Sequence, residues 1–116
     1  MTPREVIEQA RLAMTGNCIA EARTMYESLL DDPYYKGQGF LGLALLEIRH
    51  RRFENALVLL DLAFPCVSNP ADVACLMGTS FDALNRREAA LDAFRAAIAL
   101  NPEHAPAQAA LQRLLS

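Results

Sequence analysis

The chain has 116 residues, 53% of them apolar, and a formal net charge of −3. That length is one domain's worth, and the apolar share is ample for a packed core. The mild negative charge argues against general affinity for phosphate backbones, and no apolar run reaches the roughly 18 residues that a membrane span needs.

The first residues, Met1 to Val6, include an acidic side chain and no apolar segment, unlike a secretion signal. A cytoplasmic protein is expected. Cys18, Cys66 and Cys75 are odd in number and widely spaced, which argues against a disulfide framework and against a zinc site. They read as small buried hydrophobes. No metal or cofactor is expected.

Thr2-Pro3 opens a first helix, since Thr can cap and Pro suits the first helical position. Val6, Ile7, Ala10, Ala13 and Met14 then recur at helical spacing until Gly16-Asn17. A second helix spans about Cys18 to Asp31 and stops at Asp32-Pro33. A third covers about Tyr35 to His50 and is apolar on more than one face. A fourth, Phe53 to Phe64, is apolar nearly all round, which suits a middle hairpin covered by neighbours on both sides. The link from Pro65 to Pro70 should be ordered but non-helical. Ala71 to Pro102 reads as a hairpin of two more helices. They turn at Asn85-Arg86-Arg87 and stop at Asn101-Pro102, with Gly78, Ala90 and Ala97 where the helices cross. A seventh helix runs from about Pro106 to Leu115.

The hairpin pattern repeats at an offset of 34 residues: Leu43 with Met77, Ala44 with Gly78, Ala56 with Ala90, Leu60 with Phe94, Ala63 with Ala97. A fainter copy lies another 34 back, in Val6, Ala10, Ala22 and Tyr26. A helix-turn-helix period of this length signals a solenoid. The chain resembles the tetratricopeptide repeat family, and the third copy carries the resemblance best through Gly78, Phe81, Ala90, Phe94, Ala97 and Pro102. The second copy departs at Glu47, where an aromatic residue is expected, and at Ser68. The first departs at Leu29 and Asp32-Pro33. The resemblance implies an all-α, right-handed solenoid of three helix-turn-helix hairpins, at about 3–36, 37–70 and 71–104, with a capping helix at 105–116.

No catalytic constellation is present. His50 and His104 stand in no nucleophile motif and read as surface residues. The basic run Arg49-His50-Arg51-Arg52 and the pair Arg86-Arg87 fit either an acidic partner or solvated helix-end cations, and the second reading is preferred. Nucleic acid is disfavoured because no aromatic residues interleave with the arginines.

The resemblance places a binding groove on the first helix of each hairpin. It implies Arg4, Ile7, Arg11 and Met14 from the first copy, and Gln38, Leu41, Leu45, Ile48 and Arg49 from the second. From the third it implies Asp72, Cys75, Leu76, Thr79 and Asp82. Relatives that grip a terminal carboxylate carry Asn where this chain has Leu45 and Thr79, which disfavours that mode. The expected function is non-enzymatic: an apolar groove holding an amphipathic or hydrophobic segment of a protein partner, as a small chaperone or assembly factor. The length and layout resemble small chaperones of bacterial type III secretion. The alternatives are a self-assembling structural scaffold that pairs copies of itself and a regulatory module of a larger complex; a homo-oligomer or a heterodimer is the expected assembly where one forms.

Overall fold

The computed structural model describes residues 1–116 and is all-helical. Its elements are α1 (Pro3–Thr15), α2 (Ile19–Ser28), α3 (Lys36–Arg49), α4 (Phe53–Ala63), α5 (Pro70–Ala83), α6 (Arg87–Leu100) and α7 (Ala105–Leu115). The chain forms two compact units, Met1–Val67 and Ser68–Ser116. In the first, α1 packs on α2, α2 on α3 and α3 on α4. In the second, α5 packs on α6 and α6 on α7.

Local chemistry sets the helix ends. Thr2 Oγ1 accepts the Glu5 N–H at 3.2 Å, and Pro3 fills the first helical position. α2 ends at Ser28, before the expected Asp31. The Leu29 and Leu30 N–H groups reach back only three residues, to the Tyr26 and Glu27 carbonyls, each at 3.1 Å. That tightens the last turn, and Pro33 bars Asp32 from helix. The link after α4 is not wholly irregular: Phe64–Cys66 forms a short 3-10 turn with Pro65 inside it.

The three hairpin turns share one geometry. Asn17, Arg51 and Asn85 have φ of 64°, 60° and 61°, the left-handed region. In each case the next N–H closes back on the helix it leaves. Cys18 donates to the Ala13 carbonyl at 2.7 Å, Arg52 to Glu47 at 2.8 Å and Arg86 to Phe81 at 2.9 Å. Such a closure satisfies carbonyls the helix end would leave unpaired. Asn tolerates this conformation because its short amide can bond locally. Arg51 does not share that advantage, but its guanidinium lies 5.4 Å over the Phe53 ring, an attraction that offsets part of the strain. Replacing Asn85 by Ala should cost about 1 kcal/mol and lower the melting temperature by several degrees. An unchanged melting curve would show that the turn does not demand the left-handed residue.

Two cores form around small residues. In the first unit Ala10, Ala22, Tyr26, Leu29, Leu43 and Leu46 cluster. Here α2 and α3 approach so closely that a Cβ on Gly42 would clash with the Tyr26 ring, and one on Gly39 would lie 2.8 Å from the Tyr26 carbonyl. In the second unit Ala74, Cys75, Ala90, Phe94, Ala97 and Ala107 cluster. Phe94 lies against Gly78, where an added Cβ would come within 2.7 Å of the ring. Ala90 and Ala97 are fully buried, as crossing residues should be.

Glu47 takes the place in the second hairpin that Phe81 takes in the third, and it is buried. Its Oε1 accepts from Arg23 Nη1 at 3.3 Å and its Oε2 from Asn55 Nδ2 at 3.3 Å, with Arg52 Nη1 3.7 Å away. A carboxylate can replace the aromatic ring there because cations and an amide satisfy it.

Three further expectations fail. α4 is not covered all round: its buried residues Ala56, Leu57, Leu60 and Ala63 make one stripe, while Val58 and Leu62 face solvent at 62% and 48% exposure. Cys18 is exposed, because it stands at the N-terminal cap of α2 rather than inside a helix. His104 is buried, because it caps α7. Its Nδ1 accepts the Ala107 N–H at 3.2 Å and its Nε2 lies 2.6 Å from Asp72 Oδ1.

Candidate functional site

On α1, Ile7, Arg11 and Met14 are four and then three residues apart, so they share a face. On α3, Gln38, Leu41, Leu45 and Arg49 follow the same rule. These two faces and the ring of Tyr26 enclose a half-open cavity of about 410 Å³, which Thr15 and Gly42 also line. Cavities of this size are in the range that holds a ligand group.

The walls are apolar and the polar groups are few. Tyr26 is held in place by Gly42 behind it, and its hydroxyl lies 3.5 Å from Met14 Sδ. Burial pushes the Tyr26 phenol above its ordinary range, and the positive charge of Arg11 pulls part of the way back. The hydroxyl therefore stays protonated and can donate to the thioether. Arg11 is exposed and lies 3.4 Å from Glu8. Arg49 closes the other end: Nη1 donates to the Met14 carbonyl at 2.6 Å and Nη2 to Asn17 Oδ1 at 3.4 Å. It thereby caps the C-terminal end of α1 from α3, a position where a cation is favoured by the helix dipole.

The structure thus brings together Ile7, Arg11, Met14, Gln38, Leu41, Leu45 and Arg49. Ile48 is half-buried on α3 and does not line the cavity. Cys75, Leu76, Thr79 and Asp82 lie on α5 in the second unit. Cys75 belongs to that unit's core, where burial and the nearby Asp72 carboxylate push its thiol up. Thr79 Oγ1 donates to the Cys75 carbonyl at 3.1 Å, and Asp82 Oδ2 accepts from Arg113 Nη2 of α7 at 3.2 Å. No group of His, Cys, Asp and Glu side chains is arranged to hold a metal ion. No helix is long and apolar enough to cross a membrane.

No family model matches the chain, and no curated protein matches it in sequence. Solved structures do match. The first tetratricopeptide domain of Spaghetti (RPAP3), bound to the HSP90 peptide SRMEEVD, superposes with a TM-score of 0.84 at 19% identity, over 97% of this chain and 89% of that one. The fold is that of a tetratricopeptide repeat domain. The Arabidopsis OM64 domain gives 0.82 at 20% identity, over 97% and 93% of the two chains. The second such domain of human RPAP3, in complex with the HSP70 peptide SGPTIEEVD, gives 0.82 at 14% identity, over 99% of each.

Within this tetratricopeptide fold the sequence reading missed Tyr26, Thr15 and Gly42 as cavity residues. Tyr26 belongs to the second helix of its hairpin, which the family pattern keeps out of the groove. It reaches the cavity only because Gly42 offers no side chain. A glycine inside an otherwise bulky apolar helix was the available signal.

Proposed function

We propose that this chain is a non-enzymatic protein-interaction module of the tetratricopeptide type. In this reading the cavity between α1 and α3 takes apolar side chains from an amphipathic helical segment of a partner. The observation that carries the reading is the cavity itself: an apolar floor of Ile7, Met14, Leu41 and Leu45, with Arg11, Gln38 and Arg49 among its lining. The tetratricopeptide domains it superposes on include two solved with bound peptides, which supports a peptide ligand. Leu45 and Thr79 stand where a terminal-carboxylate clamp has Asn, so side-chain burial rather than carboxylate capture is the recognition mode. Each Leu-sized side chain buried would contribute about 1.5–3 kcal/mol before ordering costs. A chaperone or assembly-factor role, with the type III secretion chaperones as one instance, suits an apolar, half-open cavity.

The test is Leu45→Asp. The side chain is half-buried on the cavity wall, so the fold should survive while selection of amphipathic helical peptides from a displayed library is lost. Thermal melting is measured beside the selection. A variant that melts like the parent and still selects the same peptides would overturn the reading. One that does not fold would assign Leu45 to the core.

A further inference from the structure

We propose that the cavity between α1 and α3 selects acidic partners: internal helical segments that carry Asp or Glu side chains beside the apolar residues they bury there. This rests on the reading of that cavity as a groove for apolar side chains, and it adds the charge of the ligand. The chain has 14 acidic side chains against 11 Lys and Arg, yet no carboxylate lines the cavity. Its charged lining residues are both arginines, Arg11 on α1 and Arg49 on α3. The local charge is therefore opposite in sign to the net charge of −3 on the whole molecule.

The fold leaves both guanidiniums with donors to offer. Arg11 is paired with Glu8 on its own helix at 3.4 Å, and the two side chains are 64% and 67% exposed. Such a pair holds weakly and yields to a better-placed carboxylate. The positive field of Arg11 also reaches the cavity wall, where it acts against the burial that raises the Tyr26 phenol. Arg49 donates through Nη1 to the Met14 carbonyl and through Nη2 to Asn17 Oδ1. A guanidinium has more N–H groups than those two bonds use, and the bonds already made fix its plane. An apolar segment alone would cover these cations without pairing them, which costs free energy. A helix meets both demands, because residues three and four positions apart share a face. An apolar anchor can enter the cavity while acidic residues one turn away meet Arg11 and Arg49. The carboxylates are side-chain groups, so the segment need not lie at a chain end.

A displayed library of helical peptides tests this. Each peptide carries a fixed apolar stripe with randomised flanking positions, and both ends are fused to the display scaffold so that no terminal carboxylate is offered. Selection on the parent protein should enrich Asp and Glu over Lys and Arg at the flanking positions. Changing the acidic residues of a selected peptide to Asn or Gln should weaken its binding about fivefold or more, the scale of a few partly exposed ion pairs. Raising salt from about 0.1 M to about 1 M should remove most of that difference, because screening shortens the reach of exposed charges. Arg11→Glu, on an exposed position, should melt like the parent and select Lys and Arg instead. Selection without acidic enrichment, or the same peptides from Arg11→Glu as from the parent, would overturn the inference and leave the apolar groove standing. The parent's own enrichment and salt response decide the matter if Arg11→Glu does not fold. A library from which the parent selects nothing would overturn both readings. The Leu45→Asp experiment separates them, since it reads the apolar wall and not the charge.

Discussion

Phe94→Ala should destabilise the second unit by about 3–5 kcal/mol, the range for removing a fully buried ring. The ring is 1% exposed and lies on Gly78, with Ala74, Ala90 and Ala97 in the same cluster. Phe81, Ile98 and Leu111 pack against the same cluster, so how far they close the space sets where in that range the loss falls. A domain with about 5–15 kcal/mol in hand would keep little of it. Urea unfolding followed by far-ultraviolet circular dichroism reads the change directly. A loss below about 1 kcal/mol would show that the site collapses and that Gly78 does not hold the ring rigidly.

Gly42→Leu should be nearly as severe, by the opposite route. The tightest approach of α2 to α3 occurs here, where even a Cβ would overlap the Tyr26 ring. Overpacking of this kind costs about 1–3 kcal/mol and sometimes more. The ring can yield only towards the cavity, since it lines that space from the other side. Peptide selection should therefore fall along with the melting temperature. Gly42→Ala should show the same pair of effects in smaller measure. A Gly42→Leu protein with normal melting and undiminished peptide selection would mean that the two helices separate freely and that Tyr26 does not define the cavity wall.

Much of the fold was legible because small residues recur at helix crossings. Ala56, Ala63, Ala90 and Ala97, paired by the 34-residue offset, are all fully buried, and so is Leu60 opposite Phe94. Periodicity reports packing of this kind directly. It does not report which side of an all-apolar helix lacks a neighbour, so Val58 and Leu62 looked like core and are not. Nor does it report cap chemistry. Imidazole is an uncommon capping group, so nothing in Glu103-His104-Ala105 marked a buried histidine. The cavity was legible as two helix faces, on α1 and α3, because spacing places side chains on a face. The wall that Tyr26 supplies was not, because its ring enters from α2 past a missing side chain, and only geometry reveals such an entry. Arg49 was read as a groove cation, and its bond to the Met14 carbonyl depends on a tertiary contact that spacing cannot supply.

The left-handed turns at Asn17, Arg51 and Asn85 have a kinetic consequence. Each is closed by hydrogen bonds between residues no more than five positions apart, and the helices it joins are neighbours in sequence. Bringing such partners together loses little chain entropy, because the loop to be closed is short. Topologies dominated by near-neighbour contacts fold fastest among domains of similar stability. Each hairpin can therefore nucleate on its own turn, and refolding from denaturant should be limited by docking of preformed hairpins rather than by a search for distant partners.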